Sequence, residues 1–273
     1  MKPSIAFIGV GNMASAIIGG MIEAGYPAAK IMGTSRTAEK RAAYSAMYGI
    51  EMLDNNNAAL DQADAVVLCV KPAQIQGVIE DFSDHIRADQ IFLSVAAGVE
   101  LAALEKWLNQ PVAVVRSMPN TPSQVGSGMS GLIANARTSD EQKAWVSSVF
   151  ASIGDSVWVD DEAHMHTVTA LSGSAPAYFF RFLEAMIKSG QEQGLNEEAC
   201  RRLASYTMLG AAKMVTELDT PISQLRKNIT SPNGTTEQAL LSFEDANIDK
   251  VVDDAMTACA NRSKQLASQF SGQ

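Results

Sequence analysis

Short apolar runs alternate with amphipathic stretches over roughly the first 160 residues of the chain. Residues 4–8 are mostly apolar and end at Gly9, a pattern typical of a buried parallel strand. In the next stretch, apolar residues between Ala14 and Met21 recur at i, i+3, i+4 and i+7, the spacing of one helix face. Gly25 then provides a C-terminal stop for that helix.

The same alternation continues along the chain. Further strands are predicted at Lys30–Thr34, Ala65–Val70, Ile91–Val95, Val112–Arg116, Gly131–Ala134 and Val157–Val159. Helical patterns separate most of them, at about 38–48, 73–82, 100–108 and 139–152. Because strands and helices alternate, we predict an α/β domain with an open parallel sheet and helices on both faces.

The pattern changes after about Asp161, where the strand-like runs end. Long helical patterns follow at about 175–194, 196–217, 221–229 and 247–269. We therefore predict an α/β domain over residues 1–161 and an all-helical domain over residues 162–273, with no flexible linker between them.

Composition and charge narrow the possible functions. The chain of 273 residues is 47% hydrophobic and has a net charge of −9, which is typical of a globular protein and disfavours binding to nucleic acid. No window has the apolar length of a membrane span. The wide spacing of Cys69, Cys200 and Cys259 gives no metal-ligand pattern and fits a reducing compartment, so we expect a cytoplasmic protein.

The first two glycines belong to the pattern Gly9-x-Gly11-x-x-Ala14, between a predicted strand and a predicted helix. In a dinucleotide-binding turn, the first glycine permits the tight turn and the second lets the backbone approach the pyrophosphate. The start of the helix, at Asn12 and Met13, adds free N–H groups and a positive dipole end. The pattern predicts a dinucleotide site, and a glycine turn without a ligand is the alternative.

The end of the second predicted strand indicates which dinucleotide is bound. An NAD site expects an acidic residue there to hold the ribose 2′-hydroxyl. This chain instead has Ser35, Arg36 and Thr37, and their hydroxyls and guanidinium suit a 2′-phosphate. NADPH is therefore expected to bind better than NADH. The alternative is that Arg36 is only a solvated loop charge.

A second anion site is predicted near the C-terminus. Asn233-Gly234 indicates a turn, and Thr235 precedes Gln238 by three residues, the spacing of a capping box. The exposed amides at the start of such a helix bind a small anion without a charged side chain. A purely structural helix start is the alternative.

Taken together, these motifs resemble the pyrroline-5-carboxylate reductase family along essentially the whole chain. The matching segments are Phe7–Ala14, Val70–Pro72, Ser94–Gly98, Arg116–Pro122, Ala170–Ser174 and Thr230–Thr236. The resemblance implies a Rossmann-type domain followed by an all-helical domain that forms homodimers, which commonly assemble further into decamers. It also implies hydride transfer from NADPH to 1-pyrroline-5-carboxylate, which gives L-proline.

The resemblance also assigns site residues. Ser35, Arg36 and Thr37 are expected at the 2′-phosphate and Asn56 at the adenosine ribose. The remaining residues expected near the cofactor are Val70, Lys71, Pro72, Ala96, Ala97, Met118, Pro119 and Asn120. The substrate carboxylate is expected at Ser231, Asn233, Gly234, Thr235 and Thr236, with Thr236 at the catalytic position.

The chain departs from the family pattern at two positions. Ala175 and Asn233 each stand where the family usually has glycine. Asn tolerates positive φ better than other non-glycine residues, so we expect the loop at Asn233 to keep its shape.

Three other interpretations of the sequence have less support. A β-hydroxyacid-type reductase is expected to have a catalytic Lys in the first long helix after the junction, and residues 173–185 contain none. A nucleotide-sensing module without turnover would have no use for the loop ending at Thr236. His164 and His166 are spaced i, i+2 on a predicted helix, so their rings point apart. We predict surface histidines and no metal.

Overall fold

A computed structural model describes residues 2–271 of the chain. It divides into two compact units, one holding residues up to 174 together with those from 258 onward, and the other holding residues 175–257. The division after Ser174 lies beyond the boundary at residue 161 that the sequence predicts. The predicted second domain also includes residues 272 and 273, which lie outside the described part.

The first unit is built on an eight-stranded sheet. The strands are β1 (Ile5–Ile8), β2 (Ile31–Thr34), β3 (Glu51–Leu53), β4 (Ala65–Leu68), β5 (Ile91–Ser94), β6 (Ala113–Met118), β7 (Gly128–Ala134) and β8 (Gly154–Trp158). Their spatial order is β3-β2-β1-β4-β5-β6-β7-β8. The first six strands in this spatial order are parallel to one another. The Rossmann-type prediction is confirmed, with one correction: β7 is antiparallel to β6, and β8 is parallel to β7.

Within residues 2–271, seven complete α-helices accompany the sheet. They are α1 (Asn12–Glu23), α2 (Ala38–Tyr48), α3 (Asn56–Gln62), α4 (Ile75–Asp81), α5 (Leu101–Leu108), α6 (Asp140–Ala151) and α7 (His164–Val168). Short 3₁₀ turns occupy Ala28–Lys30, Pro72–Gln74, Ser83–His85 and Thr121–Val125, and a π-helix occupies Thr169–Gly173. The sequence prediction lacked β3, α3 and the π-helix.

Helices cover both faces of the sheet, and the alternation along β1 shows why its apolar run is continuous. Ile5 and Phe7 belong to the apolar core that includes α1 and α6. Ala6 and Ile8 belong to the core on the other face, formed with α3, α4 and α5. A parallel strand with both faces buried leaves no polar position in its interior, which explains the pattern in the sequence.

The second unit is helical. It contains α8 (Ala175–Glu192), α9 (Glu197–Glu217), α10 (Ile222–Asn228), α11 (Thr235–Asp245) and the first part of α12 (Ile248–Ser271). Large apolar side chains such as Phe179, Phe180 and Tyr206 are exposed on it, as expected of a surface that associates with a partner. Across residues 2–271, no helix combines the length and apolar character needed to cross a membrane.

A buried charged cluster lies in the first unit beside β6. The Arg116 side chain is 1% exposed and pairs through Nη1 with Glu162 Oε1. His166 is also buried, and its Nδ1 lies 2.9 Å from Ser263 Oγ on α12. Its Nε2 lies 3.8 Å from Glu100 Oε1. The prediction of a surface histidine is therefore wrong for His166, whereas His164 is exposed.

Protonation of His166 is expected to destabilise the protein. Burial, followed by the Arg116 charge, lowers the pKa of His166 from its ordinary value of 6.5. The unfolded chain then binds this proton more readily, so stability is full above about pH 6.5 and falls as the pH drops towards the folded pKa. Urea unfolding between about pH 7.5 and pH 5.5 should show a smaller loss for His166→Gln than for wild type. His164→Gln, on the exposed side of the same helix, should keep the wild-type loss, and an unchanged loss in His166→Gln would contradict this assignment.

Candidate active site

The carboxyl ends of the parallel strands meet at one edge of the sheet. Pairing places Ile8 beside Leu68, Leu68 beside Ser94, and Ser94 beside Arg116. Backbone hydrogen bonds continue this register past the strand ends, from Cys69 N to Ile8 O at 2.9 Å and from Val95 N to Leu68 O at 3.2 Å. The loops after β1, β4 and β5 therefore begin at the same level, and β6 continues two residues further to Met118. This is the place in the strand order where a dinucleotide binds.

The glycine turn after β1 has the geometry of a phosphate-binding turn. Gly9 has φ of +84°, and a Cβ there would collide with Val70 Cγ1. Gly11 is the N-cap of α1 without a side-chain capping bond, and a Cβ built on Gly11 has no neighbour within 4 Å. The first turn of α1 contains no acidic residue. Open space, free amides and a positive helix end fit a bound pyrophosphate.

The loop after β2 presents the predicted 2′-phosphate residues at the same edge. Gly9 N donates to Thr34 Oγ1 at 3.1 Å, which fixes the glycine turn to the end of β2. Arg36 and Thr37 are exposed and Ser35 is half-buried. Asn56, expected at the ribose, is the first residue of α3 and follows β3.

The remaining residues expected near the cofactor follow β4, β5 and β6. Lys71 and Ala97 are exposed, and Ala96 and Pro119 are buried. Val70, Pro72 and Met118 are half-buried. The structure brings all of them to the same edge of the sheet, and their contact with a nicotinamide ring stays a prediction.

Asn120 has a bracing function that the sequence did not indicate. Its Oδ1 accepts from Met129 N at 2.9 Å, and its Nδ2 donates to Ser172 O at 3.1 Å. Both ends of this amide are therefore engaged, and they fix the loop after β6 to β7 and to the π-helix. Close to this bond, a Cβ on Gly173 would lie 2.5 Å from Met118 Cε, so the π-helix backbone packs tightly against Met118.

Replacing Gly9 with alanine is expected to weaken NADP⁺ binding at least about tenfold, since it strains the backbone by about 1–2 kcal/mol and places a methyl group against Val70. Gly25→Ala is the matched control, because Gly25 has a similar φ of +80° and open space around its Cβ position. Calorimetric titration should show that Gly25→Ala keeps wild-type affinity despite the same backbone strain. Wild-type affinity in Gly9→Ala would contradict the site.

In the helical unit, the predicted anion loop connects α10 to α11. Asn233 has φ of +58°, the left-handed conformation that asparagine tolerates. Gly234 N donates to Ser231 O at 2.9 Å, and a Cβ on Gly234 would approach the same oxygen within 2.9 Å. The expectation that asparagine preserves the loop therefore agrees with the observed backbone, and glycine is required at the next position.

The predicted capping box at Thr235 is wrong. Gly234 is the N-cap of α11 and has no side chain to accept from the first-turn amides. The carboxylate of Glu237 instead accepts from Asn233 N at 2.7 Å, outside the helix. The amides of Thr235 and Thr236 therefore have no capping side chain, which makes this helix start better suited to an external anion than the prediction implied.

The charges around this loop are mixed. Arg226 and Lys227 lie in the last turn of α10. With Thr230, Glu237, Leu240, Leu241 and Glu244, they line a cleft of about 240 Å³ between α10 and α11. The carboxylates of Glu237 and Glu244 balance these two cations, so the cleft has no net charge of its own. Ser231, Asn233 and Thr235 are exposed, and Gly234 and Thr236 are half-buried.

Comparison with known proteins identifies the family. Residues 162–266 match a domain described as pyrroline-5-carboxylate reductase dimerisation, and residues 4–98 match one described as NADP oxidoreductase, coenzyme F420-dependent. Pyrroline-5-carboxylate reductase of Pseudomonas aeruginosa is 43% identical over 268 residues, which cover 98% of either chain. The chain belongs to the pyrroline-5-carboxylate reductase family.

Solved structures of the family agree with the fold. A pyrroline-5-carboxylate reductase from Coxiella burnetii is 39% identical, with a TM-score of 0.95 over 98% of this chain and 99% of that one. A pyrroline carboxylate reductase from Plasmodium falciparum, solved with NADP bound, is 28% identical, with a TM-score of 0.85 and the same coverage. The β-hydroxyacid-type alternative is therefore set aside.

Sequence reasoning missed several residues that support the edge of the sheet. Arg116 belongs to a quoted motif, but the sequence carries no sign that it pairs with Glu162, 46 residues later. Arg41, on α2, donates to the carbonyl of Ser35 in the predicted 2′-phosphate loop.

Among the described residues, no group of three or more His, Cys, Asp or Glu could hold a metal ion.

Proposed function

We propose that this protein reduces 1-pyrroline-5-carboxylate to L-proline, with NADPH as the preferred donor and NADH as a weaker one. The observation that carries the proposal is that one chain of this family has two candidate anion sites. One is the edge of the sheet where the strands β1, β2, β4, β5 and β6 end, called here the dinucleotide edge, and the other is the uncapped start of α11, which suits a small carboxylate. When bound, NADPH supplies the hydride that reduces the imine carbon of the ring.

The dinucleotide edge holds the cofactor through backbone and loop groups. The free amides at the start of α1 receive the pyrophosphate next to Gly11. Ser35, Arg36 and Thr37 receive the 2′-phosphate through hydroxyl and guanidinium donors. The other residues predicted near the cofactor line the same edge, and Asn120 holds their loop in position through its two hydrogen bonds.

The helical unit holds the substrate. The amides of Thr235 and Thr236 bind the ring carboxylate at the positive end of α11, and Ser231 and Asn233 close the loop around it. The Thr236 hydroxyl hydrogen-bonds the ring nitrogen and stabilises the amine as it forms. An imine carbon is electrophilic once its nitrogen is protonated or hydrogen-bonded, and the nitrogen keeps that proton when the hydride reaches the carbon. Orientation therefore contributes more than strong acid–base chemistry.

Lys71 is given no proton-transfer function in this proposal. It is the N-cap of the 3₁₀ turn Pro72–Gln74, and its carbonyl accepts from Gln74 N at 2.8 Å. This backbone position accounts for its placement beside the cofactor edge.

We further propose that the protein is a homodimer that assembles into a higher homo-oligomer, such as a decamer, and that it is located in the cytoplasm. The match to a dimerisation domain and the exposed apolar residues of the helical unit support self-association. Cys69, Cys200 and Cys259 are free, which suits a reducing compartment. Light scattering would give the number of subunits directly.

Isotope transfer tests the chemistry. Purified protein is incubated with pyrroline-5-carboxylate and NADPH that carries deuterium at both positions of the nicotinamide C4. The proposal predicts L-proline with a single deuterium at the former imine carbon. Unlabelled proline, or no proline from folded protein that binds NADP⁺, would contradict it, and the second result would favour the sensing module.

A further inference from the structure

Arg41 contacts the predicted 2′-phosphate loop although it lies outside the loop in sequence. It is the fourth residue of α2, and its side chain is only 22% exposed. The guanidinium Nη1 donates to Ser35 O at 2.7 Å. The Nη2 lies 3.8 Å from Asp54 Oδ2, just after β3. An arginine fixed in this way has a defined position at the cofactor edge.

The same residue holds both ends of the loop. The backbone N–H of Arg41 donates to Thr37 O at 3.1 Å, and the side chain holds the carbonyl of Ser35. Ser35 N donates in turn to Leu53 O at 3.1 Å, which connects the loop to β3. Arg36, between the two held ends, is exposed and makes no ion pair within residues 2–271.

Arg41 also compensates a negative charge near the loop. The Asp54 carboxylate is 74% exposed at the end of the strand next to β2. The register pairs Thr34 with Leu53, so an uncompensated carboxylate on Asp54 would lie beside the start of the loop and repel a 2′-phosphate. The Arg41 guanidinium neutralises that charge in place, within a Debye length of the loop.

We propose that Arg41 is a positioning residue that determines the preference for NADPH over NADH. It keeps the loop from Ser35 to Thr37 in the shape that receives a 2′-phosphate, and it cancels the charge of Asp54. The inference rests on the proposed use of NADPH, and it concerns only how this chain distinguishes the two cofactors.

If Arg41 only supported the fold, its loss would change the affinities for the two cofactors in a different way. Exposed ion pairs contribute little to stability, and the bonds of Arg41 lie at the sheet edge, away from the core. Loss of Arg41 should therefore weaken the binding of NADP⁺, which carries the 2′-phosphate, and leave the binding of NAD⁺ almost unchanged. A residue that only supports the fold would weaken both cofactors equally.

Calorimetric titration of the full-length protein with NADP⁺ and with NAD⁺ tests this inference. Arg41→Met should weaken the binding of NADP⁺ about tenfold, which is the scale of losing charge-assisted contacts. It should weaken the binding of NAD⁺ less than about twofold. Arg41→Lys keeps a charge but not the planar fork, so it should fall between wild type and Arg41→Met. Adding Asp54→Asn to Arg41→Met should recover about threefold for NADP⁺, because it removes the uncompensated carboxylate.

Arg137→Met is the matched control, since Arg137 pairs with Glu105 at 3.3 Å in the same unit. It should change neither affinity. Equal weakening of both cofactors in Arg41→Met or Arg41→Lys, or no change in either, would overturn the inference while the proposed function stands. Wild-type protein that binds neither dinucleotide would overturn both.

Discussion

Replacing Thr236 with alanine is expected to lower kcat by about 10- to 1000-fold, the range for removing one donor to a developing charge. The dissociation constant of NADPH should stay at the wild-type value, because the predicted cofactor residues lie in the other unit of the chain. The loss follows from the hydroxyl that we place on the ring nitrogen, where a bond strengthens as the imine becomes an amine. Steady-state kinetics and a separate cofactor titration measure the two quantities.

Two variants separate the hydroxyl of Thr236 from the shape of its helix. Thr236→Ser keeps the hydroxyl and should retain most of the activity. Thr235→Ala removes the neighbouring exposed hydroxyl but leaves both backbone amides at the start of α11. It should therefore raise KM modestly and leave kcat close to wild type. Full turnover in Thr236→Ala would remove Thr236 from the chemistry.

Removing Glu162 is expected to reduce the free energy of unfolding by about 3 kcal/mol, at the lower end of the range for broken buried pairs. The lower end applies because Glu162 is 29% exposed, whereas Arg116 is 1% exposed. The Nε and Nη2 atoms of Arg116 already have no hydrogen-bond partner among the described residues, so Glu162→Ala leaves a buried charge with little compensation. Urea unfolding at neutral pH measures the loss.

The control for this prediction is an exposed ion pair. Lys250 Nζ lies 2.8 Å from Asp254 Oδ1 on α12, with both side chains exposed. Asp254→Asn should cost less than about 0.5 kcal/mol. The double variant Arg116→Met with Glu162→Ala should recover part of the lost stability, because it removes the buried charge itself. An equal loss of unfolding free energy in Glu162→Ala and Asp254→Asn would show that the buried Arg116 pair contributes no more to stability than an exposed pair.

Strong periodic segments could be predicted from the sequence, and short or long-range features could not. The helix at 38–48 has the predicted bounds, and the helix predicted at 139–152 is observed at Asp140–Ala151. The strand β3 has three residues and only partial burial, too few for an alternation to emerge. The direction of β7 was missed because hydrophobic periodicity is the same for parallel and antiparallel strands.

In the candidate site, too, local features could be predicted from the sequence and long-range contacts could not. Local motifs predicted the glycine turn, the loop at Arg36 and the turn at Asn233, because their chemistry depends on neighbouring residues. Burial of His166 depends on Ser263, 97 residues away, and no local pattern reports such a contact. Thr235 fitted a capping box by spacing, yet Gly234 is the N-cap of α11, and Glu237 accepts a hydrogen bond from Asn233 N, outside the helix. Spacing therefore predicted a helix start at this place but not its hydrogen bonds.

The most direct measurement is the initial rate of NADPH oxidation by the purified protein, followed by the near-ultraviolet absorbance of NADPH, with and without pyrroline-5-carboxylate. The result we predict is a rapid loss of absorbance that requires the substrate, is matched by the L-proline formed, and is slower with NADH. Absence of substrate-dependent oxidation with either cofactor, in folded protein that binds NADP⁺, would contradict the assignment of this chain as a reductase.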